Sequence, residues 1–352
     1  MITAKIIGAT GYGGIGICEL LLQHPEVKIG ALVAMEQVGQ PLSAMYPHLA
    51  GALDTVVLAP TDPGAQAPHD VVFLATPDRV GMKLARAELA KGAKIIDYSG
   101  DFRFNTAPEY TDYATRLGLD PQHESPDLLP LSVYGLTELH RHDVTPATTI
   151  VGNPGCFAVS CTLGLAPAVK LGLIDSTRII CDCKTAISGA GKKPNAQHHF
   201  PARYENMNAY RLSGHQHVCE IERELGKLAG DLVKITFTAQ AVPMCRGIMS
   251  SLYSDLAPGQ TQASVLAAYR DFYRNEAFVK VHDSNATLGT IHVRGTNRCN
   301  LVIGVDERTG RFRVISYIDN LMKGQAGSAL QNMNVLFGFP ETTGLNRPGS
   351  YP

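Results

Sequence analysis

The chain has almost no net charge: 31 lysines and arginines stand against 32 aspartates and glutamates over 352 residues, a formal net charge of −1 at pH 7. A nucleic-acid groove needs a basic excess and an acidic tail needs a run of carboxylates, so neither is expected. Any charged ligand must be met by a local cluster. Continuous apolar runs are missing too. The uncharged region 144–169 is interrupted by Asn153, Pro154, Gly155 and Pro167, short of the roughly 20 apolar residues a membrane helix needs, and no membrane partner is expected. No CxxC pair occurs among the cysteines at 18, 156, 161, 181, 183, 219, 245 and 299. In a large chain without secretory features, reduced thiols are expected rather than disulfides. Internal repeats and low-complexity segments are absent. The first strand runs straight into a glycine loop, so a cleavable leader would remove functional structure, and a cytoplasmic location is expected.

What is present is ordinary for a globular enzyme: 45% hydrophobic and 18% charged residues. The length exceeds what one core sustains, so two domains are expected. Through the first 150 residues, apolar runs at 4–7, 28–33, 56–58, 71–75 and 94–97 alternate with helical stretches at 15–23 and 79–91. That alternation predicts an α/β fold, a doubly wound parallel sheet with helices on both faces. Residues 106–125 read as a polar excursion outside the core. Beyond residue 178, strand-like segments at 178–185, 232–241, 247–254, 300–305 and 312–318 surround one clear helix at 262–273, which predicts a mixed or antiparallel α+β domain. A last helix is expected over 320–337, packing back on the first domain.

Chemistry concentrates in three places. Asn153-Pro154-Gly155-Cys156-Phe157 sets a thiol at a turn ahead of the apolar stretch 158–169. Unpaired N–H groups and the positive dipole end at a helix start stabilise a thiolate, so Cys156 is the candidate nucleophile, although a free cysteine is more often a small buried hydrophobe. Cys161 lies five residues on, about 140° around a helix, and cannot act with it. Cys181 and Cys183 share one face of a strand, a packing arrangement. Gly8, Gly11 and Gly14 in Gly8-Ala9-Thr10-Gly11-Tyr12-Gly13-Gly14 follow the first strand and open a helix, the context a dinucleotide loop requires. At the end of the second strand, Ala34-Met35-Glu36 offers no cation for a 2'-phosphate; Glu36 either selects NAD or is an exposed loop glutamate.

His217, in His215-Gln216-His217, is the candidate acid/base partner of the thiol. No third ligand of matching context accompanies the histidine pair, so no metal is expected. Ser188-Gly189-Ala190-Gly191-Lys192-Lys193 can wrap an anion or a ribose, and Arg103, Arg211 and Arg246 are further cation candidates.

These pieces together resemble the N-acetyl-gamma-glutamyl-phosphate reductase family. The similarity runs nearly end to end, through Gly8 to Gly14, Asp101-Phe102-Arg103, Tyr134-Gly135-Leu136, Asn153-Pro154-Gly155-Cys156, Ser188-Gly189-Ala190-Gly191, His215-Gln216-His217, Val242-Pro243-Met244, Arg246-Gly247-Ile248, Ile318-Asp319-Asn320-Leu321, Gln331-Asn332-Met333-Asn334 and Pro340-Glu341-Thr342-Thr343-Gly344-Leu345. The resemblance implies NADPH-dependent reduction of N-acetyl-glutamyl 5-phosphate to the 5-semialdehyde with phosphate release, in arginine biosynthesis. It assigns the nucleophile to Cys156 and the acid/base to His217. It also implies a Rossmann domain (1–152 with 320–352) and a catalytic domain like that of glyceraldehyde-3-phosphate dehydrogenase (153–319), in a homotetramer or homodimer.

Cofactor contacts, to NADP(H) or NAD(H), are expected from Gly8, Thr10, Gly11, Tyr12, Gly13, Gly14, Ala75, Thr76, Pro77, Ser188, Gly189, Gly191 and Asn320. Substrate contacts are expected from Arg103, Asn153, Arg211 and Arg246. Two departures stand out: Val218-Cys219-Glu220-Ile221 replaces the usual Thr-Pro-Glu-Ile, and Ala34-Met35-Glu36 replaces the Ser or Arg common after the second strand. Reductases of aminoadipate-type lysine synthesis and aspartate semialdehyde dehydrogenases share the chemistry. A nucleotide-binding redox sensor without turnover is the alternative from another class.

Overall fold

Strands of the first unit are buried on both faces, which is why they read as near-continuous apolar runs. The computed structural model describes residues 1–351 and divides into two units: one of Met1–Thr115, Asp120–Gly155 and Gln325–Arg347, the other built mainly of Cys156–Gly324. In the first, β1 (Ile2–Ile7), β2 (Val27–Val33), β3 (Val57–Leu58), β4 (Val71–Leu74), β5 (Lys94–Asp97), β6 (Ser132–Tyr134) and β7 (Ile150–Gly152) form one parallel sheet in the order β3-β2-β1-β4-β5-β7-β6. Order reverses beside β1, so the loop after β1 sits at the switch point where such sheets bind ligands. In the central strand, Lys5 is fully buried; its Nζ lies 2.5 Å from Glu88 and donates to the Ala65 carbonyl at 2.9 Å.

Helix α1 (Tyr12–Leu21) starts three residues earlier than its apolar pattern indicates, because Gly13 and Gly14 occupy its first turn without contributing apolar side chains. The polar segment 106–125 is corrected by the structure: α2 (Ala107–Leu117) buries Tyr110, Tyr113 and Ala114. These positions follow i, i+3, i+4 spacing, but tyrosine hydroxyls and intervening charges obscure the stripe. At the C-terminal end, Met322–Ala326 forms a π-helical turn and α3 (Gly327–Leu336) is buried in the first unit, where Asn332 donates to the Gly135 carbonyl and accepts from Thr137.

The second unit carries a mixed sheet in the order β12-β13-β14-β11-β8-β10-β9, made of β8 (Ile179–Ala186), β9 (Asn208–Tyr210), β10 (Ile235–Val242), β11 (Ile248–Asp255), β12 (Val279–His282), β13 (Cys299–Asp306) and β14 (Arg311–Ile318). Pairs β8/β10 and β12/β13 are parallel and the others antiparallel. The helix expected near 262–273 is present as Gln262–Phe272, and the one expected to open at Cys156 as Cys156–Lys170; His217–Ala229 was not expected. In His217–Ala229 the buried positions are His217, Glu220, Ile221, Glu224 and Leu225, a helical stripe in which two glutamates hide the period from a hydropathy reading.

Candidate functional site

Strand β7 ends at Gly152, and Asn153-Pro154-Gly155 turns the chain into the helix that Cys156 opens. That helix is buried on all sides through Val169, and it contains Pro167. A proline has no N–H to give the carbonyl four residues back. Here the Tyr273 hydroxyl donates to that freed Leu163 carbonyl at 2.6 Å, and Tyr269 donates to the Gly164 carbonyl at 2.6 Å. Gly164 itself leaves room for Leu252, whose Cδ1 would lie 2.3 Å from an added Cβ. The helix is therefore fixed against the sheet, and its first residue, half-buried Cys156, is fixed with it. Gly324 lies against Cys156: a Cβ there would fall 2.8 Å from the Cys156 Cβ.

Cys156 and His217 line one cavity of about 540 Å³. The Phe157 ring packs edge-on against both His215, at 5.6 Å, and His217, at 6.0 Å. Tyr210 joins them from β9; burial, and then the neighbouring Cys156 thiol, hold its phenol well above the usual range. His215 is pushed down to about 3 by burial and then by the Arg211 guanidinium. Among the described residues lining the cavity there is no carboxylate, while Arg203 and Arg211 supply cations and Gln197, Asn208 and Gln216 supply amides. Arg203 is buried and spends its guanidinium on the Asn206, Ala241 and Gln197 carbonyls and on Asn208 Oδ1, which ties the cavity wall together. Arg211 is exposed, bonded to Gln216, and held at φ 50°, a left-handed conformation costly for a side chain of its size.

Of the other predicted residues, Gly189 lines the same cavity. Asn320 donates to Ser188 Oγ at 2.9 Å and accepts the Gly247 N–H at 2.7 Å, so these two predicted contacts are joined, and Gly191 closes the turn at φ 82°. Arg246 is not brought to the Cys156 cavity. It pairs with buried Asp319 at 3.1 Å and lines a second cavity, of about 590 Å³, with Arg294 and Thr290. Arg103 and Asn153 belong to the first unit, where Arg103 donates to the Asn153 and Tyr98 carbonyls, each at 2.8 Å. Asn153 in turn donates to the Gln325 carbonyl and accepts from Asn332. Both side chains brace the turn leading toward Cys156. Tyr210, His215, Arg203 and the three amides were missed by sequence reasoning. Of these, only Asn208 and Tyr210 lie on a strand, β9, which is three residues long and carries no period; the histidine at 215, two before His217, was the available signal.

In the first unit, Gly8 has φ 89°, and a Cβ on it would lie 2.3 Å from the Ala75 carbonyl oxygen. A Cβ on Gly14 would lie 2.2 Å from the Gly8 oxygen, and Gly11 N–H donates to that oxygen at 3.0 Å. The start of the loop, Gly8, is thus pressed against Ala75 and Thr76, Gly14 packs back on Gly8 and Ala9, and Gly11 is the N-cap of α1. Among the described residues, buried Thr76 Oγ1 has no hydrogen-bond partner. A tight glycine turn at a helix start beside an unsatisfied hydroxyl fits a dinucleotide phosphate and ribose. After β2, Met35 and Glu36 are exposed.

Known proteins agree with this architecture. The family model described as semialdehyde dehydrogenase, NAD binding domain, matches residues 3–147, and that described as semialdehyde dehydrogenase, dimerisation domain, matches residues 156–320. A protein of Symbiobacterium thermophilum named N-acetyl-gamma-glutamyl-phosphate reductase is 42% identical over 353 residues, covering 100% of this chain and 99% of that protein. Another of the same name, from Desulforudis audaxviator, is 40% identical, covering 100% of both. Among solved structures, aspartate semialdehyde dehydrogenase II of Vibrio cholerae complexed with ASA aligns over 96% of this chain and 98% of its own, with TM-score 0.71 at 15% identity. Aspartate semialdehyde dehydrogenase with NADP from Candida albicans aligns over 96% and 98%, with TM-score 0.66 at 17% identity. The structural likenesses establish the shared fold.

Proposed function

The chain belongs to the N-acetyl-gamma-glutamyl-phosphate reductase family, and on that premise we propose that it reduces N-acetyl-L-glutamyl 5-phosphate to N-acetyl-L-glutamate 5-semialdehyde with NADPH, releasing phosphate, in the arginine pathway of the cytoplasm. The observation that carries this reading is the single cavity that gathers a helix-starting cysteine, a histidine and two guanidinium groups with no carboxylate. An acyl phosphate bearing an α-carboxylate is anionic at both ends, and such a lining repels neither.

In this mechanism His217 takes the proton of Cys156, and the thiolate attacks the acyl carbon. The carbon–oxygen bond to phosphate breaks, phosphate leaves with the electron pair, and a thioester remains on Cys156. The nicotinamide, when bound, supplies a hydride. Gly8, Thr10, Gly11, Tyr12, Gly13 and Gly14, with Ala75, Thr76 and Pro77, would hold the dinucleotide. The tetrahedral alkoxide that then stands on Cys156 collapses by breaking its carbon–sulfur bond to give aldehyde and the Cys156 thiolate, which recovers its proton from His217. Arg211, which lines the cavity, would meet an anionic end of the substrate. Arg103 and Asn153 act by bracing the turn before Cys156.

The reverse assay tests substrate and cofactor together: phosphate-dependent reduction of NADP, and in parallel NAD, by N-acetylglutamate semialdehyde. Turnover with the acetylated glutamate aldehyde, faster with NADP, is the expected result. Preference for aspartate semialdehyde or for the aminoadipate homologue, one methylene shorter or longer, overturns the substrate; a methylene is worth about 10- to 200-fold in such a pocket.

The mixed sheet also supports a homo-oligomer. One face packs on the Cys156 helix through Ser250, Leu252 and Ser316. On the opposite face Ile180, Met249, Tyr253, Val302 and Ile315 remain partly exposed. A second copy of this chain covering that face buries them. Ile315→Glu is then expected to lower the mass measured by light scattering to that of a monomer; an unchanged mass places the interface elsewhere.

A further inference from the structure

His215 is the side chain of the cavity whose tautomer the main chain dictates. The His217 main-chain N–H lies 3.2 Å from His215 Nδ1. A main-chain N–H only donates, so Nδ1 must present its lone pair and the ring proton sits on Nε2. The ring is 3% exposed and is held by aromatic neighbours on every side: Phe157 from the Cys156 helix at 5.6 Å, Tyr210 from β9 at 5.7 Å, Phe237 from β10 at 5.0 Å and His217 at 4.9 Å. A second proton would break the Nδ1 bond and bury a positive charge beside Arg211. None of the groups facing the ring, Cys156, Tyr210, Arg211 and His217, is a carboxylate that could compensate. Accordingly the imidazole is held neutral, its pKa lowered to about 3 by burial and Arg211. Nε2 donates to no protein atom among the described residues, and His215 lines the cavity that Cys156 enters.

We propose that His215 is a second catalytic residue of fixed charge: its Nε2–H donates to the acyl oxygen of the substrate as that oxygen gains negative charge, while His217 alone exchanges the proton of Cys156. The assignment rests on the reading that the cavity turns over an acyl phosphate through Cys156. It divides the histidine pair by function. A neutral donor costs no proton bookkeeping across the working pH range, and a donor aimed at charge that develops only during the reaction acts on kcat rather than on binding.

His215→Asn separates this role from a structural one, because the asparagine Oδ1 can still accept the His217 N–H but no donor reaches the former Nε2 position. The variant is expected to melt like the wild type, bind NADP unchanged and lose kcat by a factor on the order of 10² to 10³. The pH profile of Cys156 alkylation by iodoacetamide is expected to stay that of the wild type. His215→Gln, which carries an N–H at the reach of Nε2, is expected to recover part of the lost kcat. Near-normal kcat in His215→Asn overturns the proposal. So does a shifted alkylation profile, which would make the residue act on the thiol, or an effect confined to KM for phosphate, which would make it a phosphate ligand. A wild-type chain with no phosphate-dependent turnover defeats the underlying reading instead, and the control in the same assay reports it.

Discussion

Cys156→Ser is expected to abolish phosphate-dependent turnover while NADP titration and the melting curve stay as in the wild type. A serine hydroxyl differs from the thiol by one atom, but it is far less acidic, and nothing in a helix start can bring it to its anion near neutral pH. Serine is slightly smaller than cysteine, and Gly324, with no Cβ of its own, leaves the Cys156 Cβ uncrowded from that side. Loss of activity with retained folding therefore reads on the nucleophile alone. Mass spectrometry of the wild-type chain quenched during turnover is expected to show an N-acetylglutamyl adduct on Cys156 that the serine variant lacks. A serine variant with near-normal turnover would end the covalent mechanism and leave the cavity as a binding site only.

His217→Asn is expected to slow turnover by roughly 10² to 10⁴, the usual worth of a positioned acid/base group. His217 is 7% exposed and is the first helical residue after the N-cap Gln216, so asparagine keeps a polar side chain of similar reach there while removing the titrating ring. The rate of Cys156 alkylation at neutral pH is expected to fall in this variant. If alkylation and turnover both stay at wild-type level, the proton leaves Cys156 by another route.

How much of this was readable beforehand depended on whether a residue's signal was local. The glycine loop, the cysteine turn and the histidine pair are short motifs whose chemistry is written in adjacent letters, and Cys156 and His217 do share one cavity. The parallel and mixed sheets followed from strand length and alternation. What was not legible depends on partners distant in sequence. Arg203 has no motif; beside the nearby carbonyls at 197 and 206, it is fixed by the Ala241 carbonyl, 38 residues on, which only the fold brings to it. Arg246, equally basic and in a family-like segment, is drawn to Asp319 and a different cavity. The helix His217–Ala229 escaped notice because Glu220 and Glu224 sit where apolar residues mark a buried stripe. Tyr110 and Tyr113 hid the helix Ala107–Leu117 in the same way, since amphipathic side chains blur a hydropathy period without weakening the packing.

Pro167 has a meaning beyond local helix geometry. In an unbroken helix every interior carbonyl is taken, and a neighbouring hydroxyl finds one residue much like the next. By leaving the Leu163 carbonyl open, Pro167 marks a single address along the helix, and Tyr273 occupies it. A helix slipped by one residue, or rotated by a fraction of a turn, would present Tyr273 with no vacant acceptor. The proline eleven residues from the nucleophile thus works as an alignment key, setting the depth at which Cys156 enters its cavity.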